Sequence, residues 1–119
     1  MGLKILTLDN LDIAIIEPHG TITGGNEIDE LKVKARDLLD QGNRKLIIDL
    51  GKITYINSMG IGTLVHIYTS YQNAKGKIKL CNLGKSVQNI FVITKLSSVF
   101  DVLDTRESAI ESFQAKANS

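Results

Sequence analysis

The segment Leu46-Ile47-Ile48-Asp49-Leu50 carries almost nothing but aliphatic side chains, and helix-period patterns flank it on both sides. A strand apolar at consecutive rather than alternate positions must be covered on both faces, so it reads as a central strand with helices packed against its sheet. Before it, Ile28, Leu31, Ala35, Leu38 and Leu39 recur at helical spacing, and Gly42 stands where that helix would stop. Asn26 is expected to cap it, with Glu27, Asp29 and Glu30 in the first turn and Lys32, Lys34 and Arg36 further on, as the helix dipole favours. After it, Ile61, Leu64, Val65, Tyr68 and Tyr71 predict the inner face of a second helix that Gly76 ends.

The remaining elements repeat the alternation. Ile5 to Leu8 and Asp12 to Glu17 read as two strands joined by a turn at Asp9-Asn10-Leu11, with Pro18 and Gly20 closing the second. Lys77 to Cys81 is a strand, alternating in its first four residues. A short helix carries Val87, Ile90, Phe91 and Thr94 on one side, and Val99 to Val102 is a brief strand. Asp104, followed by Glu107, marks a last helix with Ala109, Ile110 and Phe113 facing inward. The order β-β-α-β-α-β-α-β-α predicts an α/β domain: a mixed, mostly parallel sheet of 4–5 strands with about four helices, joined by right-handed crossovers. One domain over residues 1–115 and a frayed tail at 116–119 are expected, since 119 residues are too few for two ordinary domains.

Composition restricts the function classes. Apolar residues make up 43% and charged residues 23%, and the net charge of +1 provides no strong field for nucleic acid or an anionic membrane. The longest aliphatic run, Ile13-Ala14-Ile15-Ile16, is far below the roughly 20 residues of a bilayer span, and Asp9 and Asp12 interrupt any secretory pattern after Lys4. A cytoplasmic protein without membrane insertion or direct nucleic-acid contact is expected. The single Cys81 reads as a buried strand residue. Neither His19 nor His66 has a nearby acid or cysteine at metal-ligand spacing, so no metal site is expected. No G-x-S-x-G elbow surrounds Ser58. Gly84-Lys85-Ser86 follows a strand like the end of a phosphate loop, but Lys79 occupies the place of the required first glycine, so a helix start is the better reading. No catalytic constellation remains, so the chain reads as a non-enzyme.

What stands out instead is Tyr55-Ile56-Asn57-Ser58-Met59-Gly60-Ile61-Gly62. Ser58 takes an N-cap position at the start of the second helix, where its oxygen would meet unpaired N–H groups and a phosphate on it would be favoured by the dipole. Gly60 and Gly62, lacking Cβ atoms, would let a partner backbone or a ligand approach the turn. A hydroxyl so placed suits receiving a modification rather than performing chemistry.

These residues resemble the bacterial anti-sigma factor antagonists, single-domain members of the STAS group. The likeness spans most of the chain and is most specific in Leu46 to Leu50, Ile53 to Ile56 and Asn57-Ser58-Met59-Gly60-Ile61-Gly62, which is similar to the family's strand and D-S-x-G-[LI]-G phosphorylation turn. The resemblance implies a partner-switching cycle in transcription regulation. The unphosphorylated protein binds an anti-sigma factor that is itself a serine kinase, and so releases a sigma factor. The kinase phosphorylates Ser58, which ends the complex, and a PP2C-type phosphatase restores it. ATP and Mg²⁺ would belong to the kinase, and this chain would need no cofactor. The partner-binding residues implied are Thr21, Thr23, Gly24, Gly25, Asn57, Ser58, Met59, Gly60 and Ile61. Two departures stand out: Asn57 replaces the family's usual Asp, and Thr21-Ile22-Thr23 stands after Gly20 where many relatives place an acid that helps engage the kinase. The alternative is a non-switching STAS scaffold or adaptor subunit of a signalling assembly or transporter.

Overall fold

The aliphatic run does occupy the middle of a sheet. The computed structural model describes residues 2–117, in the order β1 (Leu3–Leu8), β2 (Ile13–Pro18), β3 (Gly20–Ile22), α1 (Asn26–Asp40), β4 (Lys45–Asp49), β5 (Ile53–Ile56), α2 (Ser58–Asn73), β6 (Lys77–Cys81), α3 (Lys85–Ile93), β7 (Asp101–Leu103) and α4 (Arg106–Ala117). Strands β1-β2-β4-β6-β7 lie side by side in that order, β1 antiparallel to β2 and the rest parallel. With β4 in the centre, alternate side chains of each inner strand enter opposite layers. Ala14, Ile16, Leu46, Ile48, Ile78 and Leu80 pack with the inner faces of α1, α2 and α3. Ile13, Ile15, Ile47 and Cys81 pack with Ala109 and Phe113 of α4.

Two further strands were not expected. Gly20–Ile22 and Ile53–Ile56, absent from the expected order of elements, pair in parallel as a separate two-stranded sheet. Strands this short give no periodicity, and their pairing depends on backbone groups meeting across the fold. The pairing matters for function, because β3 leads into the loop before α1 and β5 leads into α2.

Helix ends follow local chemistry with several shifts. Gly42 (φ +103°) does terminate α1: its N–H reaches the Leu39 carbonyl at 3.0 Å and that of Asn43 reaches Leu38 at 2.9 Å. At the other end of α1, Gly25 occupies the cap without a side-chain bond, and Asn26, the expected cap, is already helical. The stop of α2 is Lys75 (φ +65°), not Gly76. Gly76 is needed for space, because a Cβ there would lie 2.9 Å from the Arg44 carbonyl oxygen. Thr105 rather than Asp104 caps α4, its Oγ1 accepting from the Ser108 N–H at 3.0 Å. The β7 strand begins two residues later than expected, after a 3-10 turn at Leu96–Ser98, and Thr94 is exposed. Residues 116 and 117 of the expected tail continue α4, and residues 118–119 lie outside those described. Among the described residues, no helix is long and apolar enough to cross a membrane.

Lys79 is the sharpest correction to the alternating pattern. Its side chain is 1% exposed, under α4. The Nζ donates to Asp101 Oδ2 at 3.0 Å and Ser112 Oγ at 2.6 Å, and lies 4.9 Å from the Phe113 ring centroid. These three partners from β7 and α4 would not be visible in a strand read alone. Cys81, on the same layer, is fully covered, and burial pushes its thiol up to about 12. With so little thiolate and no access, it should not react with an aromatic disulfide reagent in the native protein and should react fully in urea. Absorbance of the released thiolate checks this; rapid native labelling would contradict it.

Candidate functional site

The site is built where β3 and β5 deliver their C-terminal ends. Residue Thr21 pairs with Tyr55 and Ile22 with Ile56, so the chain leaves both strands side by side. One exit is the loop Thr23-Gly24-Gly25, the other the turn into α2. The Asn57 N–H bonds the Ile22 carbonyl at 3.3 Å. Asn57, and not Ser58, caps α2: its Oδ1 accepts from the Gly60 N–H at 3.0 Å. Its Nδ2 donates to the Thr23 carbonyl at 2.9 Å. Both residue types cap well, and the extended backbone at Asn57 (φ −109°, ψ −172°) decides between them.

Displaced by one position, Ser58 becomes the first residue of α2 and stands exposed. Its hydroxyl has no side-chain duty in the cap and remains available to a second molecule. Beside it Met59 is 60% exposed. The structure also brings in Tyr55, 52% exposed, which the sequence reading left out. The signal was its place in an Ile-Thr-Tyr-Ile run of strand-favouring residues. Thr21, Thr23 and Gly24 are half-buried, and Gly25 is exposed. Ile61 is half-buried against the core.

Contrary to the expectation of an opening at both glycines, Gly60 leaves no room for a partner. It is buried, and a Cβ would collide with the Ile22 carbonyl oxygen while lying 2.6 Å from Ile56 Cγ1 and 2.9 Å from Ile22 Cγ2. What approaches Gly60 is the chain's own β3. Gly62 is the open one, with nothing within 4 Å of its absent Cβ. The Gly84-Lys85-Ser86 segment is a helix start, with Gly84 before α3 and Ser86 Oγ 3.4 Å from the Thr54 carbonyl.

A second polar cluster ties the ends of β2, β4 and β6 to the start of α4. Arg106 of α4 donates from Nε to Asp49 Oδ2 at 3.0 Å and from Nη2 to Glu17 Oε2 at 2.7 Å. The other oxygen of Asp49 receives the Gly51 N–H at 2.9 Å, and Asn82 Nδ2 reaches Oδ2 at 3.1 Å. His19 Nε2 lies 2.7 Å from Glu17 Oε1. The hydrogen bond from His19 is the main influence holding the Glu17 carboxyl below its usual 4.5, with Arg106 helping and burial opposing. A carboxyl depressed in the folded state stabilises above its unfolded value, and that stabilisation is lost as pH falls through the folded one. Stability should therefore fall as the pH drops below about 4.5. His19→Ala should make the drop shallower, as the difference in urea midpoint between neutral pH and about pH 4 will register. An unchanged drop would remove His19 from this role.

Comparison with known proteins places the fold. The model of the STAS domain matches residues 4–109. A protein of Bordetella bronchiseptica named as a candidate anti-sigma factor antagonist is 28% identical over 109 residues, covering 92% of this chain and 94% of its own. The crystal structure of a candidate anti-sigma factor antagonist from Thermotoga maritima superposes with a TM-score of 0.85 at 22% identity, covering 94% of each chain. The anti-sigma factor antagonist SpoIIAA, a Bacillus cell fate determinant, has the same fold in its unphosphorylated form, with a TM-score of 0.74 at 16% identity over 95% of this chain and 98% of that one. Its phosphorylated form superposes equally well, TM-score 0.74 at 17% identity over 93% and 98%. Since the matched segment begins in β1 and ends inside α4, taking in every strand between, this chain belongs to the STAS domain family.

Proposed function

We propose that this protein is an anti-sigma factor antagonist, a cytoplasmic binding module rather than an enzyme. Unphosphorylated, it docks on an anti-sigma factor serine kinase through Tyr55, the Thr21–Asn26 loop and the first turn of α2, and so frees a sigma factor. The kinase phosphorylates Ser58, the complex dissociates, and a PP2C-type phosphatase resets the cycle. The kinase brings ATP and Mg²⁺.

The observation that carries this reading is the exposed Ser58 hydroxyl at the N-terminus of α2, with exposed side chains at Met59 beside it and at Tyr55 three residues before it. Phosphorylation adds about −1.5 to −2 charges at neutral pH. At a helix N-terminus those charges are tolerated by the fold, but beneath a docked partner they need a cation or a route to water. One group thus leaves the antagonist folded and ends its partnership. The likeness to relatives named as anti-sigma factor antagonists supports the choice of partner. Incubation with the cognate kinase and ATP, followed by mass mapping, tests it: a single phosphate on Ser58 is expected. A phosphate confined to another residue, or no complex with the kinase, would refute it.

A further inference from the structure

We propose that the side-chain amide of Asn57 is the positioning group of the docking surface, a neutral clamp that holds the β3–α1 loop against the start of α2. The proposal rests on the docking surface described under Proposed function and goes on to what keeps it in shape. The amide orientation follows from its partners. A backbone N–H of Gly60 requires an acceptor, and the backbone carbonyl of Thr23 requires a donor. One planar group therefore caps the helix with its oxygen and ties down the loop with its nitrogen. A carboxylate could do only the first, and would aim an anionic oxygen at the Thr23 carbonyl oxygen. A serine hydroxyl could also cap, but is too short to hold both partners.

The loop needs such a tie. Gly24 (φ +141°) and Gly25 (φ +70°) adopt conformations that L side chains rarely take, and their unrestrained backbone has the most freedom to lose. At its far end the loop is held to α1 by a backbone bond alone, the Asp29 N–H to the Gly25 carbonyl at 3.3 Å, with no side-chain cap at Gly25. Met59 adds only soft packing, its Sδ lying 3.6 Å from where a Gly24 Cβ would stand. Next to the backbone bond from the Asn57 N–H to the Ile22 carbonyl, the Asn57–Thr23 bond is thus the side-chain link that reaches into the loop and joins the two halves of the surface before a partner arrives. A surface ordered in advance loses less freedom on binding.

Asn57→Asp and Asn57→Ser test this together, since both keep a capping oxygen and both lose the donor, but only one adds a charge. Relaxation measurements on the Gly24 and Gly25 amides of the free protein should show lowered order in both variants. Affinity for the partner kinase should fall about tenfold in both, as expected for one hydrogen bond's worth of ordering, with thermal melting nearly unchanged. Undiminished order at Gly24 and Gly25 would overturn the clamp. So would a loosened loop with undiminished affinity, or an affinity loss confined to the Asp variant, which would be an effect of charge. If the wild-type protein bound no kinase, the proposed function would fail on its own, and the order of the loop would still decide whether the clamp exists.

Discussion

Ser58→Asp is expected to bind the partner kinase at least about a hundredfold more weakly than wild type, and phosphorylation of Ser58 about a thousandfold, equivalent to about 4 kcal/mol. The asymmetry follows from charge, since Asp carries about half the charge of the phosphate. Folding should not suffer in either case. Ser58 is exposed at the first position of α2, where an anion gains about 0.3–1 kcal/mol from the helix dipole. The same substitution should therefore leave the melting temperature level or slightly raised while binding collapses. Ser58→Ala should bind like wild type and resist release by ATP. Calorimetric titration beside thermal melting separates the two effects. An Asp variant that binds as tightly as wild type would end the switching mechanism, and one that unfolds would show that Ser58 serves the fold.

The second large effect concerns two glycines only two positions apart. Gly60→Ala should destabilise the domain by about 2–3 kcal/mol, while Gly62→Ala should stabilise it by about 0.5–1 kcal/mol. On helix propensity alone both changes would gain, since Ala exceeds Gly by about 1 kcal/mol inside a helix. At Gly60 the gain is overwhelmed, because the new methyl meets the Ile22 carbonyl oxygen, a backbone atom that cannot rotate away. Relief would require β3 to separate from α2, which would also break the Asn57 N–H bond to Ile22. At Gly62 the space is open and only the entropy of the unfolded chain changes. Urea denaturation of the two variants should displace the midpoint in opposite directions, and for Gly60→Ala the melting temperature should drop by about 10 °C. Equal behaviour of the two would mean that β3 is not held against α2.

The contrast between these glycines shows where local reading reaches its limit. In sequence both belong to one Gly-Ile-Gly run beside Ser58, and both suggested an opening for a partner. Only the pairing of β3 with β5 puts Ile22 over one of them and leaves the other bare. Lys79 gives the same lesson. An alternating strand sends a lysine outward, whereas α4 crosses that face and supplies Ser112 and the Phe113 ring around its ammonium. The capping residues were legible as a choice among neighbours rather than as a position. Asn57 and Ser58, like Asp104 and Thr105, are chemically able to cap, and backbone direction fixed by tertiary contacts selects one.

By itself the sequence determined the layered α/β order, the central place of residues 46–50 and the buried faces of the helices. Those features depend on where apolar side chains recur, which is a property of the chain's own period. It also marked the turn at Ser58 as the place to look, through glycines and a hydroxyl at a helix start. Tertiary structure alone decided that Ser58 is free because Asn57 takes the cap, that Gly60 is closed and Gly62 open, and that the Thr23–Gly25 loop lies against Asn57 and Met59. Each of those outcomes depends on which of two distant segments lies against the other. Residues about 34 positions apart, Thr23 and Asn57, meet through a bond that no local pattern encodes.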